Sequence, residues 1–532
     1  MGKNQPAYSE VNKKWKETAK VIFGNEIGEL KDYSEWLYEN NGPRITKKSS
    51  LSGKESTYSY SDYALASKWL AFEEVDFEKK YDALNINEIK DIDSILEAIS
   101  GRIYYTGNMV LGDSGFVEKS TNIVNSYYVF HSEQIASSKN IAYSTFGTYG
   151  ENIFGGFGFG WPRFCIKSKG IVRTSRCFEV IKADLSSDCY YSHGISGCAE
   201  CMFCFNLRSK KYAIGNLELP PDKYAQIKAK LIDEMHKKLV NEKRLPTLIE
   251  IASKKDPEHS RAKEIFSKIP SKPAQERKDK SIIEKAFSNA TKIVLGKEYS
   301  PIDQYAKWLQ RHTNTLEPGK SAISGEKVML PNYADFSLFP KDRLLTFSEA
   351  DFIGERLCIT KEEAESFSLK TASELISKIA YFSPIWPVGI VKNNIDCPIN
   401  IYSNNCYKNI TNVESKFSAY SYLPRDSEYI FGSNEARSSS FCINCYHSAR
   451  LRRCFEMDCC NDCSDCYFCH NCENLDNCMF CFNIRNKRYA IGNVEISREK
   501  YLKIKEKVLA QLRSELEKKN EIRMDIFNLM SN

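Results

Sequence analysis

The sequence has no run of about 18 consecutive apolar residues, the length a helix needs to cross a bilayer, so no membrane insertion is expected. Its first residues, Met1 to Glu17, are polar and charged and lack the apolar stretch of a secretory signal. Pro6 stands where a myristoylation motif carries Ser or Thr. A cytoplasmic location is the expectation. An excess of one charge is also missing: 75 Lys and Arg face 69 Asp and Glu, a net +6 over 532 residues. No strong single-sign field follows from that balance. The second cysteine-rich stretch, Arg437 to Arg488, carries seven Lys/Arg against six Asp/Glu, which argues weakly against a nucleic-acid groove and leaves a nucleic-acid partner weakly supported. No nucleophile elbow or cofactor-binding glycine loop is found.

What is present is cysteine, 20 in all. In a large chain without a secretory signal these read as core thiols or metal ligands rather than a disulfide framework. In the stretch from Cys442 to Asn483, Cys442, Cys445, Cys454, Cys460, Cys463, Cys466, Cys469, Cys472, Cys478 and Cys481 share one phase of a three-residue period, and of the cysteines there Cys459 alone falls out of step. Carried back to Cys397, that phase contains no charged residue. The same holds for every third residue from Leu111 to Cys204, where bulky positions such as Val117, Ile123, Val129, Ile135 and Ile141 alternate with Ser120, Ser126, Ser132 and Ser138. In a chain that is 27% charged, the chance of two such windows is on the order of 10⁻⁹ to 10⁻⁸.

A period of three or six is neither helical nor that of a simple strand, so the chain must turn corners regularly to bring one phase inward. A parallel, hexapeptide-like β-solenoid does this, and a triangular interior of roughly 18 residues per turn is expected. A bundle of polyproline-like helices also has period three, but needs glycine at its axis, and glycine is not the third-position residue here.

The chain reads as a tandem duplication. Arg176-Cys-Phe-Glu179 returns as Arg453-Cys-Phe-Glu456, and Cys201-Met-Phe-Cys-Phe-Asn206 as Cys478-Met-Phe-Cys-Phe-Asn483. The predicted fold class is α+β, with each module built from a helical or mixed lead-in segment, a solenoid and a capping helix. The expected boundaries are lead-in 1–110, solenoid 111–206, exit helices 207–268, linker 269–281, lead-in 282–387, cysteine-rich solenoid 388–483 and exit helix 484–532. Trp15, Ala19 and Ile22 mark the first helix, which Gly24 stops. Tyr224, Ile227, Leu231 and Met235 predict the first capping helix, and Tyr501, Ile504, Val508 and Leu512 the second. The glycines from Gly155 to Gly160 predict a bulge or loop.

The exit motif Cys478-x-x-Cys481-x-x-Ile484-Arg485-Asn486-Lys487-Arg488-Tyr489-x-Ile491-x-Asn493, followed by Tyr501, resembles a family of cysteine-rich proteins from uncultured microbes, often labelled CaiB/BaiF. The resemblance covers the solenoid and exit helix of both halves. It implies the fold and brings no established activity with it. Members of that family often carry paired-cysteine zinc ribbons upstream, whereas the lead-in segments here hold only Cys358.

Three functions compete. The leading one is a non-enzymatic binding or assembly scaffold with a protein partner or a second copy of itself, for which no cofactor is expected. The alternative is a metal protein, since Cys-x-x-Cys repeated from Cys460 to Cys472 has zinc or iron–sulfur spacing. Against it, cysteine is a small buriable hydrophobe, and the first half fills the same slots with Ser and Ile. The third is an acyltransferase-like enzyme using one of His131, His193, His447 or His470, which fall outside the buried phase and read as surface residues. Arg485, Lys487 and Arg488 are placed to meet phosphate or a partner, or to form a solvated turn. Tyr127, Tyr128, Phe130 and Tyr143 face outward, towards the lead-in segment or a partner.

Overall fold

The structure, a computed structural model, describes residues 7–39, 41, 45–58, 62–85, 89–268 and 278–530. Pro6 and most of the expected linker, residues 269–277, lie outside them. The class is α+β, with helices and long parallel sheets. The chain divides into two compact units. One is residues 1–44, 110–274 and 317–385, and the other is residues 45–109, 275–316 and 386–532. Each expected lead-in segment is thereby shared between the units. The stretch 45–109 belongs with the strands of the second half, and 317–385 with those of the first.

In the first unit, short strands from Val110 onward alternate between a ten-stranded and an eight-stranded sheet. From Gly115 on they pair in parallel at twelve-residue spacing, Tyr127 opposite Lys139 and Lys139 opposite Glu151, while the first strand, Val110–Leu111, is offset by thirteen from Ile123–Val124. The rung is therefore twelve residues, not the 18 expected. The reason is backbone conformation. Every third residue from Phe116 to Gly215 has φ between about 45° and 70°, as does every third residue from Glu414 to Gly492 in the second unit. A left-handed residue recurs at every third position, so four of them fall in each twelve-residue repeat. Among these positions there is no Val, Ile or Thr, the residues for which this conformation is most costly. In the same phase Ile399 and Thr411 are not left-handed, and they lie opposite each other on neighbouring rungs.

The inward residues form columns at twelve-residue spacing. Val129, Ile141, Ile153, Cys165 and Cys177 make one buried column, and Ile123 and Ile135 begin another. The serines between them act as acceptors, not only as small residues. Ser120 Oγ accepts from Ser132 N–H at 2.9 Å, Ser132 Oγ from Ser144 N–H at 3.1 Å, and Ser126 Oγ from Ser138 N–H at 3.0 Å. The expected glycine bulge is absent: strands Glu151–Phe154 and Phe157–Gly160 run on in register. The glycines before it make room for the inward Phe159 ring, since a Cβ on Gly147 would lie 1.9 Å, and one on Gly150 2.5 Å, from that ring; within the stretch a Cβ on Gly156 would lie 3.3 Å from it.

The outward phase of the ten-stranded sheet is roofed by helix α1 (Ala7–Phe23), whose buried face is Val11, Trp15, Ala19 and Ile22. Trp15 meets Phe154 at 5.2 Å between ring centres, and Phe23 meets Phe178 at 5.0 Å. The last parallel strand, Lys211–Ile214, turns back as the antiparallel Leu217–Glu218. Helix α2 (Pro221–Glu242) follows, with Tyr224, Ile227, Leu231 and Met235 buried and Tyr212 against Tyr224 at 5.7 Å.

In the second unit too, parallel strands pair at twelve-residue spacing, as Cys442 does opposite Cys454. Helix α3 (Ser281–Leu295) packs on the strands through Phe287 and Phe431, 5.2 Å apart. Helix α4 (Arg498–Lys519) begins at Ser497, whose Oγ accepts from Lys500 N–H, and buries Tyr501, Ile504, Val508 and Leu512. The borrowed 45–109 stretch contributes the strand pair Trp69–Ala71 with Tyr105–Gly107 and the apolar helix Ile92–Ile99.

Candidate functional site

The twelve-residue rung decides which cysteines meet. Cys442, Cys454, Cys466 and Cys478 form one column. Cys445, Met457, Cys469 and Cys481 form the next, and Cys460 stands over Cys472. Cys463 lies between Leu451 and Leu475. The 18-residue spacing would have stacked Cys442 on Cys460 and Cys454 on Cys472, which does not occur. All ten thiols are buried, and no disulfide joins any cysteine. Each donates to the carbonyl two residues before it, as Cys454 does to Arg452 O at 3.3 Å, Cys466 to Ser464 O at 3.1 Å and Cys472 to His470 O at 3.3 Å. These bonds require protonated thiols. Burial pushes Cys445, Cys460, Cys466, Cys469 and Cys481 well above the ordinary thiol value. Cys463 and Cys478, each beside two neighbouring thiols, are drawn below the ordinary thiol value by those neighbours.

The histidines depart further from expectation. His193 and His470 are fully buried, not surface residues. In the second unit, Thr106 N–H donates to His470 Nε2 at 2.8 Å, so the ring proton sits on Nδ1 and is given to Asp458 Oδ2 at 2.8 Å. Tyr63 Oη donates to the same carboxylate oxygen at 2.9 Å. Burial alone would raise Asp458, yet the His470 bond holds it below the usual carboxylate value. Asn483 completes the clamp, donating to Tyr104 O at 2.9 Å and accepting from Thr106 Oγ1 at 2.6 Å.

The first unit repeats this clamp with a different partner. Ser383 N–H donates to His193 Nε2 at 3.2 Å, and Asn206 donates to Tyr381 O at 2.9 Å. No carboxylate follows, because Ile181 stands where the second unit has Asp458. Lys182 instead donates to Ser383 O at 2.8 Å and Ile385 O at 2.6 Å, and burial lowers it and His193 well below their ordinary values. Both histidines thus hold a neighbouring segment in place through its backbone.

His131 is half-buried beside Lys119, Phe130 and Tyr143 in an open groove. His447 is half-buried next to Asp458, and burial lowers it to about 4. The cationic cluster is paired throughout: Arg485 with Glu473 and Arg488 with Asp476 at 3.0 Å, and Lys487 with Glu495 at 3.7 Å. Arg485 also lies over the Phe77 ring, 3.7 Å from its centre. Of the outward aromatics, Phe130 meets Tyr8 and Tyr143 meets Tyr38, while Tyr128 stacks on Phe116 at 4.7 Å.

Sequence reasoning missed Asp458, Tyr63 and the left-handed columns. The signals were present. Asp458 precedes His470 by one rung, and Arg450 and Arg453 precede Asp462 and Asp465 by the same twelve. Comparison of the chain with family models, with curated proteins and with solved structures found no match.

Proposed function

We propose that the chain is a duplicated pair of β-solenoid modules, of the family its exit motif resembles, acting in the cytoplasm as a non-enzymatic binding or assembly protein. The observation that carries this reading is that the chemically capable groups are spent internally. The buried histidines accept backbone N–H groups, and the column thiols donate to backbone carbonyls. The paired cations Arg485, Lys487 and Arg488 form a solvated turn in this reading, not a phosphate site. What remains for a partner is backbone. Strand Gly115–Glu118 ends the ten-stranded sheet, opposite the end closed by Leu217–Glu218, and its Val117 is only partly buried. A terminal parallel strand is a template for another chain.

The test is light scattering and cross-linking of the full chain at native abundance. A protein or a second copy should cross-link at 115–118, and Val117→Lys, checked for folding by circular dichroism, should abolish it. A chain that stays monomeric and cross-links nothing there would overturn the reading. The metal-protein alternative is favoured by one observation, the unbroken column of Cys442, Cys454, Cys466 and Cys478. It predicts two or more metal equivalents, lost with the fold on chelation and reduced by Cys466→Ser. The scaffold reading predicts that Cys466→Ser leaves metal content unchanged.

A further inference from the structure

Cys459 is the cysteine that the three-residue phase leaves out. It occupies a left-handed position, with φ 55°, in an outward column of residues twelve apart: His447, Cys459, Asn471 and Asn483. Further along this column Asn471 donates to Asn483 Oδ1 at 2.8 Å, so neighbouring rungs bring side chains here within bonding reach. Cys459 is also bonded unlike the inward thiols. Its Sγ lies 3.3 Å from the carboxylate oxygen Oδ1 of Asp458. That carboxylate is fully buried and fixed through its other oxygen by Tyr63 and His470, which leaves Oδ1 turned to the thiol. One ligand atom each from His447, Asp458 and Cys459 lie within 4.8 Å of one another.

We propose that His447, Asp458 and Cys459 bind one divalent cation of the zinc class. Tetrahedral zinc with S, N and O bonds of about 2.0–2.3 Å sets its ligand atoms roughly 3.3–3.6 Å apart, so side-chain rotation suffices to close the site. The donor set selects the ion: a thiolate and an imidazole favour zinc over magnesium or calcium. On binding, the Cys459 proton leaves to solvent, and thiolate and carboxylate together balance the charge of the ion. Tyr63 and His470 act as positioning residues that orient the carboxylate ligand. This site is separate from the cysteine columns and does not depend on the scaffold reading.

The test is titration of the chelator-treated full-length chain with cobalt(II), read by the thiolate-to-cobalt charge-transfer absorption. One equivalent should bind. Cys459→Asn should remove the absorption, and it should fold because Asn already occupies the next two positions of its column. Tyr63→Phe should weaken binding by about tenfold or more, and Cys466→Ser in the interior column should leave it unchanged. If Cys459→Asn fails to fold by circular dichroism, His447→Asn, at another left-handed position, decides on the same readout. Absence of the absorption in the unaltered protein, its persistence in the folded Asn variant, or its loss in Cys466→Ser would each overturn the proposal.

Discussion

A side chain at a left-handed position is tolerated according to its branching at Cβ, because a second γ atom crowds the backbone carbonyl there. Ser137 has φ 49° and is exposed, so it isolates that effect from packing. Ser137→Val should destabilise the first unit by about 1–2 kcal/mol more than Ser137→Gly, measured by chemical denaturation. Equal stability of the two variants would remove left-handedness as the reason β-branched residues are missing from the phase. His312 supplies a pH dependence. Burial alone would lower it, but hydrogen bonds to Asp525 at 3.0 Å and Asp62 at 2.8 Å, with Glu456 nearby, raise it to about 9. Arg311 shares Asp525 at 3.1 Å. A raised histidine stabilises the fold fully below its unfolded value of about 6.5, and that contribution is lost as pH rises through about 9. The unaltered protein should therefore lose on the order of 3 kcal/mol more than His312→Asn between pH 6 and pH 10. Parallel stability curves for the two proteins would refute this.

The rung is the element, and two of its contacts are easily tested. Ser132→Ala takes the acceptor from the buried Ser144 N–H, so a cost of about 1–3 kcal/mol is expected in equilibrium unfolding. Inward Ile141→Asp should cost several kcal/mol as an unpaired buried carboxylate. The period alone would mark the neighbouring Ala142 as a tolerant outward position, and likewise Ala136 beside Ile135. Both are buried, Ala142 completely, and α1 packs on its strand. Ala142→Asp should therefore be nearly as damaging, while Lys139→Asp, exposed on the same strand, should cost under about 0.5 kcal/mol. Thermal melts of the three variants separate these outcomes. The inward phase was legible from Ile135, Ile141 and the serines between them, since a charge is excluded from an interior that offers it no partner. Rung length was not, because a three-residue phase is preserved in any multiple of three. It needed the left-handed residue, whose mark is an absence of Val, Ile and Thr rather than a motif. The Asp458–His470 pair was hidden for the same reason: twelve residues is no helical or strand spacing until the rung is known.

At the scale of the whole molecule, each unit is completed by a stretch from the other half of the chain. The clamps show what is at stake locally. His470 and Asn483 hold the backbone at Tyr104 and Thr106, and His193 and Asn206 hold it at Tyr381 and Ser383. A fragment of residues 1–268 lacks 317–385 while keeping 45–109 without its host. It should be unstable or aggregated on its own, and adding 282–532 in trans should raise its yield. A monomeric, cooperatively melting 1–268 would show that the borrowed stretch is dispensable.

The borrowed stretch also imposes an order in time. Ile92, Ile95, Ile99 and Tyr105 emerge from the ribosome long before the strands up to Phe482 that they cover. At about 5–20 residues per second, that delay is on the order of tens of seconds. Throughout it the apolar helix is without its cover, so slowing translation should lower the soluble yield of this protein rather than raise it.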